Sequence, residues 1–299
     1  MTTPLAERHG AEDSLEVVLD LLVGRPLVVL TGAGLSTDSG IPDYRGPDSP
    51  SRMPMTITEF RSGPVAQQRY WARSHLGWGR MRGAVPNPGH RALARLDPEL
   101  LITQNVDGLH EQAGSRRLVA LHGRISHVVC LGCRTTSARS ALQARLAELN
   151  PGFAERHAGA RVRPDGDVEL DDTSAFRVPG CGECGGVLKP DVVFFGENVP
   201  AERVERCYAA VDTLAANGGA LLVAGSSLTV MSGFRFVRRA ARAGTSVVIV
   251  NRGATRGDEL ATHKLETGCS EFLTTLAQAW ISRRVARSPR GAQSLRTKM

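Results

Sequence analysis

The chain has 299 residues, of which 37 are Lys or Arg and 30 are Asp or Glu, a formal charge of +7 with histidine neutral. At 41% hydrophobic and 22% charged residues, it has enough apolar surface to offset ordering entropy, which excludes a disordered chain. Six Cys spread over this length exclude a small disulfide-stapled scaffold, and the length suits one large domain or two modest ones.

Only three of the cationic residues are Lys (Lys189, Lys264 and Lys298). Arg283, Arg284, Arg287, Arg290, Arg296 and Lys298 cluster at the C-terminus among Gly, Ser and Gln, so residues 283–299 read as a basic, flexible, solvated tail. Contact with a nucleic acid or an acidic partner is the alternative use of that tail. Without it the body is close to neutral, and nucleic acid is not the expected partner. The longest apolar runs, Leu27 to Leu30 and Ala220 to Ala224, fall far short of the ~20 residues of a spanning helix, so no membrane contact is expected. Glu7, Glu12, Asp13 and Glu16 leave the N-terminus unlike a signal or transit peptide. A cytoplasmic protein with reduced thiols follows as the simplest expectation; nothing specifies an oligomer, and a monomer is favoured.

In chain order, residues 14–22 predict an amphipathic helix with Ser14 as N-cap. The segment RPLVVLTGAGLSTDSG then predicts a buried strand running into a glycine-rich turn. Pro42, Pro47, Pro50 and Pro54 break any regular element from Ile41 to Pro54, leaving a long loop. Residues 64–82 predict a helix carrying Tyr70, Trp71 and Trp78, within a helical insertion at about 55–85. Strands follow at Leu100–Thr103 and Leu118–Leu121. Residues 124–187 hold four of the six Cys and read as an inserted module with a helix near 138–149. Strands resume at Val192–Phe195, Ala220–Ala224 and Ser246–Val250, with helices at about 201–216 and 232–243. Continuous apolar strands alternating with helices imply an α/β fold: a mostly parallel sheet covered on both faces.

Cys130-Leu-Gly-Cys133 and Cys181-Gly-Glu-Cys184 form two C-x-x-C knuckles, which fit tetrahedral zinc because each turn aims two thiolates at one point. The alternative is a pair of redox motifs or buried free thiols. The stretch between them, residues 134–180, exceeds the usual zinc-ribbon gap, so a substructure must fill it. Four protein ligands leave no open position, which makes such a site structural and argues against a zinc-dependent hydrolase.

Gly32, Ala33, Gly34 and Ser36 follow the first strand in a turn whose N–H groups suit a pyrophosphate. Thr37 stands where the dinucleotide fingerprint G-x-G-x-x-G has glycine, and no acidic residue ends a second strand about 20 positions later. The turn therefore binds a nucleotide in another pose or is only a tight turn. Gln104, Asn105 and Asp107 follow one strand and His122 the next, at the carboxyl ends where open α/β sheets bind ligands. A histidine so placed is a general-base candidate. Gly225, Ser226 and Ser227, with Asn251, Arg252 and Gly253, end two further strands; each set contacts ribose and phosphate or forms a plain turn.

Together the stretches TGAGLSTDSGIPDYRG, TQNVDGLH, LHG, LKPDVVFFGE, GSSLTV and VNRG, with the zinc knuckles between LHG and LKP, closely resemble the sirtuin family of NAD-dependent protein lysine deacylases. The resemblance covers roughly residues 15–280, and RYWARSHLGW, NPGF and GCSEFL look like the class II branch. It implies a Rossmann-like NAD-binding domain over 14–123 and 188–282 with a smaller zinc-binding module inserted. By the same resemblance, Gly32, Ala33, Gly34, Ser36 and Thr37 cradle the pyrophosphate of NAD, consumed as co-substrate, and Asp43, Tyr44 and Arg45 belong to a loop that closes over it. Gln104, Asn105 and Asp107 hold the nicotinamide ribose and carboxamide, with His122 and Asn105 catalytic. Gly225, Ser226, Ser227, Asn251, Arg252, Gly253 and Cys269 hold the adenosine half; Val193, Phe194 and Gly196 flank the tunnel for the acyl-lysine of a protein or peptide. The implied reaction has the acyl oxygen attack C1′ of the ribose, giving an imidate. His122 then drives attack by a ribose hydroxyl, releasing acyl-ADP-ribose and lysine. Tyr44 replaces the family's usual Phe, and the spacing of Tyr70 and Arg73 resembles the pair with which dicarboxyl-acyl-specific sirtuins hold a carboxylate. A mono-ADP-ribosyltransferase using the same NAD chemistry and a non-catalytic zinc-ribbon interaction module are the competing readings.

Overall fold

The computed structural model of the chain describes residues 14–43, 54–157, 170 and 172–287. Tyr44, Arg45 and the tail beyond Arg287 lie outside them. The strands are β1 (Leu27–Thr31), β2 (Leu100–Thr103), β3 (Leu118–Ala120), β4 (Gly123–Cys130), β5 (Thr136–Ala138), β6 (Leu188–Val192), β7 (Ala220–Ala224), β8 (Ser246–Val250) and β9 (His263–Leu265). The helices are α1 (Leu15–Leu22), α2 (Ile57–Arg61), α3 (Pro64–Gly83), α4 (Pro88–Leu96), α5 (Leu109–Gln112), α6 (Arg139–Leu149), α7 (Phe153–Arg156), α8 (Ala201–Ala216), α9 (Met231–Arg242) and α10 (Cys269–Arg287).

The larger sheet has the order β3-β2-β1-β7-β8-β9 and is parallel throughout. All five residues of β1 and of β7 are buried, as a sheet covered on both faces requires. Alternation divides them between two cores. Val29, Leu222 and Val248 pack with Phe272 and Leu276 of α10 on one face. Val28, Leu221 and Ile249 pack with Val211 of α8 and Phe236 of α9 on the other. Each fully buried aliphatic side chain contributes about 1.5–3 kcal/mol. The chain winds outward from β1 to β3, then crosses back to β7 beside β1. That reversal opens a crevice at the carboxyl ends of β1 and β7, the location at which doubly wound sheets bind ligands.

β5, β4 and β6 form a separate antiparallel sheet. The predicted strand over Val192–Phe195 is corrected here. The strand is Leu188–Val192, it pairs with β4, and it belongs to the small sheet rather than the parallel one. Pro190 is tolerated because β6 is an edge. Phe194 owes its apolar character to packing on Ile57 and Phe60, not to a strand. The small sheet thus runs past the predicted module limit at 187. Helix α3 joins it: Trp71 is fully buried in the same cluster as Leu142, Leu146 and Phe176, and its indole N–H donates to the Leu188 carbonyl at 3.0 Å.

At the C-terminus, α10 continues to Arg287, so residues 283–287 are helical rather than part of a flexible tail. Arg283 donates to the Val23 carbonyl at 2.6 Å, tying the helix to the end of α1. Among the described residues no helix is long and apolar enough to cross a membrane.

Candidate active site

At the crevice the turn after β1 meets the turn after β7. The Gly34 N–H donates to the Gly225 carbonyl at 2.9 Å. Gly225 has φ +65°, and a Cβ there would lie 2.4 Å from the Leu35 nitrogen. Only glycine satisfies both the left-handed backbone and that approach. The resulting cleft has a volume of about 1570 Å³, well above the roughly 300–1,000 Å³ of an ordinary small-ligand pocket.

The predicted site residues converge on this cleft. Each residue assigned to cofactor or acyl-lysine lines it, apart from Arg73 and from Tyr44 and Arg45, which lie outside the described residues. Asn105 donates from its amide to the Gly32 carbonyl (3.0 Å) and to Ser36 Oγ (2.9 Å). The Ser36 hydroxyl donates in turn to Asp107 Oδ2 at 2.7 Å, and Asp107 Oδ1 accepts from the Leu109 N–H at 2.9 Å. These bonds lock the loop after β2 against the glycine turn. Burial pushes the Asp107 carboxyl above the ordinary carboxylate range, and the bonds from Leu109 and Ser36 oppose that shift.

His122, after β3, is held at both ring nitrogens. Nδ1 lies 2.9 Å from the Gln104 carbonyl oxygen and Nε2 2.7 Å from Ser232 Oγ. A carbonyl only accepts, so Nδ1 carries the ring proton and Nε2 the lone pair, with the Ser232 hydroxyl as donor. Burial lowers the His122 pKa below 6.5; the Gln104 bond opposes this and Arg203 adds to it. Burial thus favours the neutral ring, whose basic nitrogen is bonded to Ser232, a residue that lines the cleft. Sequence reasoning missed Ser232 entirely.

At the other end, the Asn251 amide donates to the Arg252 and Gly253 carbonyls at 2.8 and 3.1 Å. Cys269 opens α10 with its thiol pushed up to about 12 by burial. Across the cleft, the Val193 N–H donates to the His122 carbonyl at 2.8 Å. The loop through Phe194 and Gly196 is pinned by Glu197, which accepts from the Phe194 N–H at 3.0 Å and pairs with Lys189 at 2.9 Å. Lys189 is 3% exposed, lies 4.6 Å from the Phe194 ring centroid, and has its pKa lowered by burial. That pair is a second feature the sequence reading did not find.

Tyr70 lines the cleft, with its ring 5.3 Å from that of Phe194. Arg73 does not. It donates to the Leu170 carbonyl at 3.1 Å and is not among the residues lining the cleft. Helical spacing places them on neighbouring positions of α3, but the small-sheet side claims Arg73.

The four knuckle sulfurs lie within 4.8 Å of one another. Their short contacts run between knuckles, Cys130 to Cys184 at 3.5 Å and Cys133 to Cys181 at 3.7 Å. A tetrahedral ion with Zn–S of about 2.3 Å requires sulfurs about 3.8 Å apart. A Cβ on Gly186 would lie 3.0 Å from Cys130 Sγ and 3.1 Å from Cys184 Sγ, so this glycine lets the sulfurs gather. Convergence on one point, rather than two separate pairs, fits one structural zinc.

The profile of the Sir2 family matches residues 32–232. The chain is 54% identical over 275 residues to NAD-dependent protein deacetylase 1 of Mycobacterium avium, an alignment spanning 90% of this chain and 96% of that one. It is 53% identical to NAD-dependent protein deacetylase 1 of Streptomyces coelicolor, over 92% and 93% of the two chains. Among solved structures, it resembles a Sir2 protein with a p53 peptide and NAD+ (TM-score 0.69, 32% identity, 91% and 97% coverage). A Sir2 protein bound to an acetylated peptide gives a TM-score of 0.68 at 30% identity, with the same coverage. The chain belongs to the Sir2 family, the sirtuins.

Proposed function

We propose that the chain is an NAD-dependent protein lysine deacetylase that transfers the acyl group to ADP-ribose. The observation that carries this reading is His122, a lining residue of the cleft whose Nδ1–H is fixed by the Gln104 carbonyl, leaving Nε2 as the basic nitrogen. The two relatives above are named as NAD-dependent deacetylases, and the solved neighbours hold NAD+ or an acetylated peptide. NAD supplies a sugar–nicotinamide bond with a neutral leaving group, and the acyl-lysine supplies the oxygen that displaces it.

The chain's own residues do the rest. The turn Gly32–Ser36 bounds the pyrophosphate; its Gly32, Gly34, Leu35 and Ser36 N–H groups donate to the carbonyls of Ala224, Gly225, Gly32 and Ala33, which fixes its shape. Asn105 and Asp107, fixed to each other through Ser36, bound the nicotinamide end and exclude water from it. Asn251, Arg252 and Cys269 bound the adenosine end. The loop Val193–Gly196, braced by Lys189 and Glu197, offers extended backbone to the substrate peptide, with Phe194 and Tyr70 walling the acyl chain. His122 takes the proton of a ribose hydroxyl, so that the sugar oxygen receives the acyl group; such help contributes about 10²–10⁴ in rate. The zinc contributes structure alone, holding the small sheet on which the peptide loop is carried.

Mono-ADP-ribosylation of a protein acceptor would use the same cleft and leave its label on protein. A pure interaction module would need no cleft of this size. Acetyl-lysine peptide and radiolabelled NAD, incubated with wild type and His122→Ala, decide among them. We expect peptide deacetylation from the wild type and a loss of about 10²-fold or more from the variant. Undiminished turnover in His122→Ala would reject the assignment, and label on protein alone would favour ADP-ribosyl transfer.

A further inference from the structure

His122 is not bare in the cleft. Its Nε2 is already occupied by the Ser232 hydroxyl at 2.7 Å. Ser232 lies in the first turn of α9, is 9% exposed, and lines the cleft. Its placement is imposed by close packing: a Cβ on Gly233 would lie 2.7 Å from Gln104 Nε2, so α9 presses directly on the residue whose carbonyl fixes His122. Gln104 is held from its far side by the Ser226 hydroxyl, which donates to Oε1 at 2.7 Å. The polarity of the chain is then fixed. The Gln104 carbonyl accepts from Nδ1–H, and Nε2 accepts from Ser232.

A sugar hydroxyl that gave its proton directly to Nε2 would first have to break the Ser232 bond and leave that hydroxyl without its acceptor. The Ser232 oxygen, in contrast, has two acceptor sites, and among the described residues no group donates to it. A hydroxyl entering the cleft can donate there without breaking anything.

We propose that Ser232 is a catalytic proton relay between the ribose hydroxyl and His122, an inference that rests on the deacylase reading. In this step the sugar O–H bond breaks and its proton forms a new bond to Ser232 Oγ. The original Ser232 O–H bond breaks and its proton forms a bond to Nε2. The electron pair left on the sugar oxygen attacks the acyl group's own carbon, forming a C–O bond while the π pair of its C=N bond moves to the lysine nitrogen. His122 ends as imidazolium, still donating to Gln104, and passes its extra proton to water when the product leaves.

The test uses Ser232→Ala and Ser232→Thr in the full chain. Without substrate, ¹⁵N NMR of wild type should show Nε2 as an unprotonated acceptor, moving toward the unbonded value in Ser232→Ala. With NAD and acetyl-lysine peptide, Ser232→Ala should lose about tenfold to a hundredfold in deacetylation, while Ser232→Thr, which keeps the hydroxyl, retains most of it. Nicotinamide exchange into NAD precedes the base step, so it should persist in both variants and report an intact site. Deacetylation by Ser232→Ala within about twofold of wild type, equal losses in the two variants, or a protonated Nε2 in wild type would overturn the relay. Absence of exchange in the wild type would instead reject the deacylase reading, and the relay with it.

Discussion

The backbone carbonyl of Gln104 accepts from Nδ1 of His122 at 2.9 Å, so the strand end after β2 sets the tautomer of a histidine at the end of β3. The consequence is a base whose accepting nitrogen is Nε2, bonded to Ser232, itself a lining residue of the cleft. Burial holds its pKa below 6.5. The acidic limb of the kcat/KM profile should therefore have its midpoint below pH 6.5, with activity rising through it as His122 loses its proton. A pH–rate profile in which this limb sits at or above 6.5 would contradict the buried, neutral base.

The zinc site makes a compositional prediction. Elemental analysis of the purified chain should give one zinc per molecule. Cys184→Ser should release it and disorder the small sheet, since structural zinc contributes about 10–16 kcal/mol in small metal-folded units. Trp71 reads this out directly, because it is fully buried against that core and bonded to Leu188. Its fluorescence should become solvent-like, and deacetylation should fall with it. A zinc-free protein with unchanged Trp71 emission and full activity would show the four thiols to be dispensable.

Arg73 provides a prediction in the opposite sense from its sequence pattern. Because it bonds the Leu170 carbonyl and does not line the cleft, Arg73→Met should leave the ratio of succinyl- to acetyl-lysine turnover unchanged, within about 0.5 kcal/mol. A selective loss of succinyl turnover would restore the carboxylate clamp.

Much of this site was legible because its chemistry sits where strands end. Asn105, Asp107 and His122 follow short continuous apolar runs that fold as strands, and glycine turns beside them mark close backbone approach. Of the features that were not legible, three show the physical reason. The run Val192–Phe195 has the hydrophobicity of a strand, but a loop packed on Ile57 and Phe60 needs the same residues. Helical spacing told that Tyr70 and Arg73 are neighbours without telling which of them turns to the cleft. Ser232 is 110 residues from His122 in sequence, and a serine in the first turn of a helix has no pattern that names so distant a partner.

Two further histidines govern acid stability. His90 is fully buried and His110 is 1% exposed, with ring centroids 4.7 Å apart. Burial lowers their pKa values to about 4 and about 3, with Arg91 adding to the first shift and His90 to the second. Unfolding returns both to about 6.5, so the unfolded chain binds more protons between pH 6.5 and about 3–4. Their contribution is complete above 6.5 and is lost as pH falls through that window, by an amount of order several kcal/mol. Urea unfolding of His110→Asn against wild type should show a flatter dependence on pH from 6.5 down to 4. An equal slope in the two proteins would mean these rings are not neutral when folded.

One cleft consumes NAD to take an acyl group from lysine. Mass spectrometry of a reaction with acetyl-lysine peptide and NAD tests it most directly. Nicotinamide, acetyl-ADP-ribose and unmodified lysine peptide should appear in equal amounts, one of each per NAD consumed. Free acetate appearing with NAD untouched, or ADP-ribose bound to protein with the peptide still acetylated, would contradict it.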